Sequence, residues 1–258
     1  MIALMVKAKG IVIRTTDYGE SNKILTLYTA DFGKIGLMAR GARKPRSTLS
    51  GVSHVLFYGM CLFNRGRGLG SLYQAESIHT FRGIMADIRS TAYAALIVEL
   101  LDRLTEDNKP FPGLYRLLRD TLVKIDKGTD AAVLAAIFSI KLMRIAGIDP
   151  QVDHCLKCGE KKKSYRFSIS GGGFLCPDCA QSDPYAIPMT LRASTLISLF
   201  KRIPLERIGT VSVKPDTIRE IEALIAAYYE QNAGIKCRSR RFIEQLSHFK
   251  ADNKSSSQ

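Results

Sequence analysis

The sequence predicts an α+β chain, with a small five-stranded barrel at the N-terminus followed by a helical domain into which a four-cysteine ribbon is inserted. Three observations predict it. Apolar residues recur at period two before Thr80, with no helical stretch between them. After Thr80 the period lengthens to the helical value, and two Cys-x-x-Cys pairs fall between Cys155 and Cys179. The expected segments are 1–80 (barrel), 81–150 (helical, first part), 151–183 (ribbon), 184–250 (helical, second part) and 251–258, a disordered polar tail.

Five runs read as strands: Val6 to Thr15, Lys23 to Thr29, Ile35 to Arg40, Leu56 to Phe63 and Ser71 to Ile78. Turn residues separate them, AspPheGlyLys before the third and the glycine-rich AsnArgGlyArgGlyLeuGly before the fifth. The commonest five-stranded closed solution is the oligonucleotide-binding (OB) barrel, whose ligands lie in a cationic groove with rings to stack on. Tyr18, Tyr28, Phe32, Phe57, Tyr58, Phe63 and Tyr73 are the available rings, and strand spacing assigns most of them to the core.

Charge concentrates in this region. No Asp or Glu occurs between Asp31 and Glu76, while Lys34, Arg40, Arg43, Lys44, Arg46, Arg65 and Arg67 all fall there. Such a run cannot neutralise itself and offers a phosphate backbone several charge-assisted contacts. Gly41 frees the chain after the third strand, and Ala42 to Gly51 reads as a flexible basic finger with Pro45 holding part of it extended. A solvated surface loop is the plainer alternative. The whole chain carries a net charge of +14, which favours a polyanionic partner. A membrane is not expected to be that partner, because no helix is both strongly basic on one face and bulky-apolar on the other. The run Ala131 to Ile140 is about half a membrane span.

Beyond Thr80, Ile84, Ile88, Tyr93, Leu96, Ile97, Leu100, Leu101 and Leu104 form a helical stripe, interrupted near Arg89 and Ser90. Further helices are read over Leu114 to Ile125, and over Ala131 to Ala146 with Thr129 or Asp130 as cap and Gly147 as stop. Asp149-Pro150 breaks the pattern. Cys155-Leu-Lys-Cys158 and Cys176-Pro-Asp-Cys179 are separated by seventeen residues, the spacing of a tetrahedral four-thiolate zinc site. Two residues between thiolates let the chain turn so that both sulfurs face one ion, and Gly159 suits the residue after the first pair. Tyr165 to Ile169 and Phe174 to Cys176 read as the ribbon's strands. One structural Zn2+ is expected, held by Cys155, Cys158, Cys176 and Cys179, with no open coordination position for catalysis. The adjacent Lys157, Lys161, Lys162, Lys163 and Arg166 make the ribbon basic, whether as a ligand surface or as a solvated face.

SerAspProTyrAlaIleProMet reads as an irregular connection, followed by a helix from Thr190 or Ser194 to Arg202 and a last long helix from Pro215 to Asn232 ended by Gly234. The closing segment places Lys236, Arg238, Arg240 and Arg241 ahead of a short amphipathic turn. The helices after the ribbon are expected to pack on those of residues 80 to 150. No P-loop, dinucleotide fingerprint, paired nucleophile and base, or carboxylate cluster is present, so an enzyme is not expected. Cysteine usage, four in one tight pattern and Cys61 and Cys237 isolated, suits a reducing compartment, the cytoplasm.

Over nearly its whole length the chain resembles the bacterial RecO family of recombination mediators. The resemblance rests on KAKGIVIRTTDYGESNKILTLYTADFGKIGLMARGARKPRSTLSG, on LYQAE, on the paired cysteines and on GIKCRSRRF. It implies an N-terminal OB barrel, a helical domain and a zinc module. It also implies binding of single- and double-stranded DNA, annealing of complementary strands, and partnership with RecR, and with RecF in some species. Through these, such proteins help RecA load onto strands covered by single-stranded-DNA-binding protein (SSB), whose acidic C-terminal tail they contact, in a bacterial, nucleoid-associated setting. By match to the family's basic barrel segment, Lys34, Arg40, Arg43, Lys44 and Arg46 are the expected DNA contacts. The alternative is an RNA-binding or translation-associated protein, since a barrel with a zinc ribbon also suits structured RNA.

Overall fold

The computed structural model describes residues 4–65, 68–208 and 212–255, without the side chains of 4 and 247–255. It forms two compact units, Met1–Ala86 with Val98–Asp126, and Asp87–Ile97 with Lys127–Gln258.

In the first unit, β1 (Leu4–Tyr18), β2 (Asn22–Thr29), β3 (Gly33–Ala39), β4 (Tyr58–Arg65) and β5 (Gly70–His79) close a barrel in the order β1-β2-β3-β5-β4. β1 serves two neighbours because it is long. Its C-terminal half pairs with β2 and its N-terminal half with β4, and a register shift between Val12 and Arg14 lets it bend. The one parallel joint, β3 to β5, spans Leu37↔Gly70 to Ala39↔Leu72. Inward residues follow the strand period: Leu25 and Leu27, then Ile35, Leu37 and Ala39, then Cys61 and Phe63, all in one core with Phe57 and Leu72. α1 (Arg82–Ala86) and α3 (Pro112–Asp126) belong to this unit, and Asp126 fastens them. Its carboxylate accepts from the Ile84 amide at 3.1 Å and lies 2.8 Å from His79 Nε2 at the end of β5.

The interruption in the first helical stripe is a real break between α1 and α2 (Ile88–Leu104). Asp87 caps α2, accepting from the Ser90 amide at 2.9 Å and the Ser90 hydroxyl at 2.7 Å. Residues 81–150 divide where the sequence suggested a single stretch: α3 and the end of α2 belong with the barrel, and α4 (Ala131–Ile145) with the ribbon. The α3 stripe of Leu114, Leu118, Leu122 and Ile125 is buried as expected, but a stripe does not say what it packs against.

In the second unit α4 is buried almost all round and is capped by Asp130, which accepts from Ala132 at 2.9 Å and Val133 at 3.2 Å. α5 (Leu191–Arg202) and α6 (Pro215–Ala233) pack on α4 and on each other. Thr190 caps α5, and the Tyr229 hydroxyl of α6 donates to the Ser139 carbonyl at 2.7 Å. The ribbon is a three-stranded sheet, β7-β6-β8, made of β6 (Tyr165–Ser168), β7 (Gly173–Leu175) and β8 (Ile187–Met189). β8 lies in the segment read as irregular. Its three residues include Pro188, which an edge strand tolerates but which hides the strand from pattern reading. Phe167 meets Tyr228 of α6 edge-on at 5.5 Å and so seats the sheet on the helices. After Gly234, the expected short turn and disordered tail are instead a continuous helix, α7 (Arg238–Ser255), rich in residues that favour helix; positions 256–258 lie outside the described residues. Among the described residues no helix is long and apolar enough to cross a membrane.

Candidate nucleic-acid interface and metal centre

The basic segment leaves the barrel at the end of β3 and is built more firmly than a flexible finger. Gly41 adopts φ +68°, a left-handed turn that spares a side chain strain, and its amide donates to Asn22 Oδ1 at 2.9 Å. Lys44 and Ser47 amides close successive turns onto Gly41 and Lys44 at 2.9 and 3.1 Å. Ala42, Leu49 and Phe57 are buried in the barrel core, so the loop is pinned at three points along its length. Four cations remain outside: Arg40, Arg43, Lys44 and Arg46 are exposed. Arg43 ties the loop to the β1–β2 hairpin. Its amide donates to Ser21 O at 2.9 Å, its guanidinium to Gly19 O at 3.2 Å, and Nε lies 3.6 Å from Asp17 Oδ2. Arg40, Lys44 and Arg46 form no ion pair among the described residues.

Lys34 departs from the expected set. It is 8% exposed, its ammonium donates to the Asp102 carbonyl at 2.6 Å, and it lies 3.4 Å from the carboxylates of both Asp102 and Asp107. A cation so enclosed by acids has its charge satisfied inside the unit and offers little to a phosphate. Acids distant in sequence complete a stretch that has none of its own, which composition along the chain cannot reveal. Arg65 lies over the Phe32 ring at 4.7 Å; Arg67 lies outside the described residues.

Of the seven candidate rings, Tyr28, Phe57, Tyr58 and Phe63 are buried and Phe32 is half-buried against Phe63. Tyr18 (54% exposed) and Tyr73 (52%) stand out. Tyr18 ends β1 beside the Asp17 and Gly19 groups that hold Arg43, so a ring and the cation loop share one corner of the barrel. Sequence reasoning missed the hairpin's part in this. The polar cluster Asp17 to Asn22 between two strands was the available signal.

In the ribbon, the sulfurs of Cys155, Cys158, Cys176 and Cys179 all lie within 4.8 Å of one another. Two metal–sulfur bonds of about 2.3 Å at the tetrahedral angle separate their sulfurs by about 3.8 Å, so the cluster fits one ion with little movement. Gly159, at φ +72°, makes the turn after the first pair, its amide donating to Cys155 O at 3.0 Å. Burial opposes ionisation of Cys155, but amides of Cys158, Cys176 and Lys157 outweigh it and draw the thiol down to about 6. With that thiolate formed, a hydrogen bond to Cys176 and burial push Cys179 up to about 12, a conflict that a divalent cation relieves. Four thiolates close the coordination sphere, so the donor set suits a structural ion.

A closed OB-type barrel with a pinned cationic loop, joined to a helical unit bearing a four-cysteine ribbon, defines a barrel protein with a ribbon module that could hold a metal ion. The family follows from comparison. Residues 1–81 match the family model "Recombination protein O N terminal" and residues 85–241 match "Recombination protein O C terminal". The chain is 43% identical over 247 residues to the DNA repair protein RecO of Bacillus pumilus, covering 96% of each chain. It is 42% identical over 255 residues to that of Bacillus subtilis, covering 98% of this chain and all of the relative, and 45% identical over 243 residues to that of Bacillus cytotoxicus, covering 94% and 98%. The chain belongs to the RecO family.

Proposed function

We propose that this chain is a DNA-repair mediator that grips single- and double-stranded DNA by phosphate charge, anneals complementary strands and, with RecR, helps load RecA on SSB-coated single strands. The observation that carries the reading is the pinned loop on which Arg40, Arg43, Lys44 and Arg46 face solvent together. The family supplies the repair setting: its curated relatives are DNA repair proteins. Cations laid against one backbone reduce its repulsion of a second, so complementary bases meet without hydrolysis of a nucleotide. Because phosphates carry no base identity, the grip is even across sequences, and Tyr18 adds a stacking face that tolerates any base. The ion proposed for the four cysteines is zinc, one per chain, with a structural role. RecF and the acidic tail of SSB are proposed partners from the family resemblance.

The test is a salt titration. Four phosphate contacts from the loop should add about −2.8 to the slope at which the logarithm of single-strand affinity falls with the logarithm of salt. Replacing Arg40, Lys44 and Arg46 by alanine should flatten the slope by about 2.1, and should slow annealing of SSB-coated complementary strands. A slope near zero for the unaltered protein, or tighter binding of matched RNA than DNA strands, contradicts the reading.

A further inference from the structure

Cations also gather in the second unit, where the ribbon meets α5. Lys161, Lys162 and Lys163, from the loop before β6, and Arg202, from the last turn of α5, line a concavity of about 400 Å³. This is the size of pockets that take small organic ligands. The loop is held in shape from within. The Lys162 amide donates to the Tyr165 hydroxyl at 2.8 Å, and the Tyr165 ring stacks on buried Phe174 at 4.7 Å. Arg202 is fixed by its bond to Ser198 O at 3.1 Å and by Asp153 at 3.6 Å. Acids offset only part of this charge: Glu160 pairs with Lys162 at 2.6 Å, while Lys161 and Lys163 form no ion pair among the described residues. On the same concavity Leu191 is 62% exposed, an apolar surface in a lining that also carries unpaired positive charge.

We propose that this concavity is a second strand-binding site, which takes a nucleotide of a single strand with its phosphates on Lys161 and Lys163 and its sugar or base against Leu191. The proposal rests on the reading that the chain binds nucleic acid. A nucleotide matches the mixed lining, because one residue of the polymer brings both an anion and an apolar face. A run of carboxylates would leave Leu191 without a complement. Screening by one loop lets a second strand approach, and a cation site in each unit offers that second backbone a hold of its own.

The experiment compares three variants of the full chain by salt titration against oligothymidylate: Lys161→Ala with Lys163→Ala, Thr195→Lys on the same concavity, and Arg40→Ala with Arg46→Ala on the barrel loop. All the altered residues are exposed, so metal content and melting temperature should stay those of the parent. The lysine pair should flatten the salt slope by about 1.4 and Thr195→Lys should steepen it by about 0.7. If the lysine pair changes nothing while the barrel pair flattens the slope, the second site is wrong and the barrel reading stands; the lysines then serve to offset the thiolate cluster's negative charge. If neither pair changes it, both are wrong. If the lysine pair weakens binding of polyglutamate and leaves oligothymidylate unchanged, the concavity is a peptide surface and the proposal is overturned.

Discussion

Lys34 Nζ lies 3.4 Å from the Asp102 carboxylate and 2.6 Å from the carbonyl of the same residue, joining β3 to α2 within the barrel unit. Arg14 holds the other carboxylate oxygen of Asp102 at 2.9 Å, so removing the lysine leaves the acid one partner. Lys34→Met should therefore lower stability by about 1–3 kcal/mol, less than for a carboxylate left wholly unpaired. It should leave the salt slope of strand binding unchanged. Urea unfolding and the titration, done on one preparation, check both halves. A slope flattened by a full contact would return Lys34 to the phosphate-binding set.

Asp17 sits beside Arg43 and competes with any phosphate for it. Both side chains are well exposed, so the pair is worth only about 0.2–1 kcal/mol. Asp17→Asn should release that charge and tighten single-strand binding by up to about fivefold. Arg43→Ala should weaken binding, and in the double variant the gain from Asp17→Asn should disappear. Fluorescence anisotropy at fixed salt measures all three. A gain that persists without Arg43 would mean that Asp17 acts through general repulsion instead.

These two pairs show where sequence reading stops. Period two makes Ile35, Leu37 and Ala39 one face of β3, whereas Lys34, read as part of the turn before the strand, lies inside β3 on the other face. What covers that other face is the last turn of α2, which carries Asp102, and the α2–α3 connection, which carries Asp107 and Asn108, and nothing local in the sequence announces a contact across so many residues. The four thiolates were legible for the opposite reason: their geometry is set by short spacings and one turn glycine. β8 stayed hidden because a three-residue edge strand containing Pro188 has no period to read.

The four-cysteine cluster, with zinc as its proposed ion, predicts how the protein responds to chelation. Metal analysis should give one equivalent of zinc per chain, and Cys155→Ser with Cys158→Ser should abolish it. Because among the described residues only Leu175, Ala180 and Ala186 pack around the buried cysteines, the proposed ion is expected to hold this end of the ribbon, and chelation should lower the melting temperature by about 5 °C or more. Adding zinc back should restore it. An unchanged melting curve after complete metal removal would show that the ribbon stands on its packing alone.

Burial raises the carboxyl of Glu222 on α6 above the usual glutamate range, against the Tyr93 hydrogen bond and the charges of Arg240 and Arg89, with Asp130 adding to the rise. The folded protein therefore holds this proton more tightly than the unfolded chain does. The stabilisation is complete below the ordinary value of 4.5 and is lost as pH rises through the raised folded value. Glu222→Gln keeps a hydrogen-bonding amide beside Tyr93 and removes the titration. Its melting temperature should match the parent's in acid and exceed it by a few degrees at neutral pH. Acid also protonates the metal-binding thiolates, so the quantity to follow is the difference between variant and parent at each pH, in which that common effect cancels. Two melting curves that run parallel across the whole range would mean that Arg240 and Arg89 hold Glu222 ionised throughout, and that its burial has no bearing on how stability varies with pH.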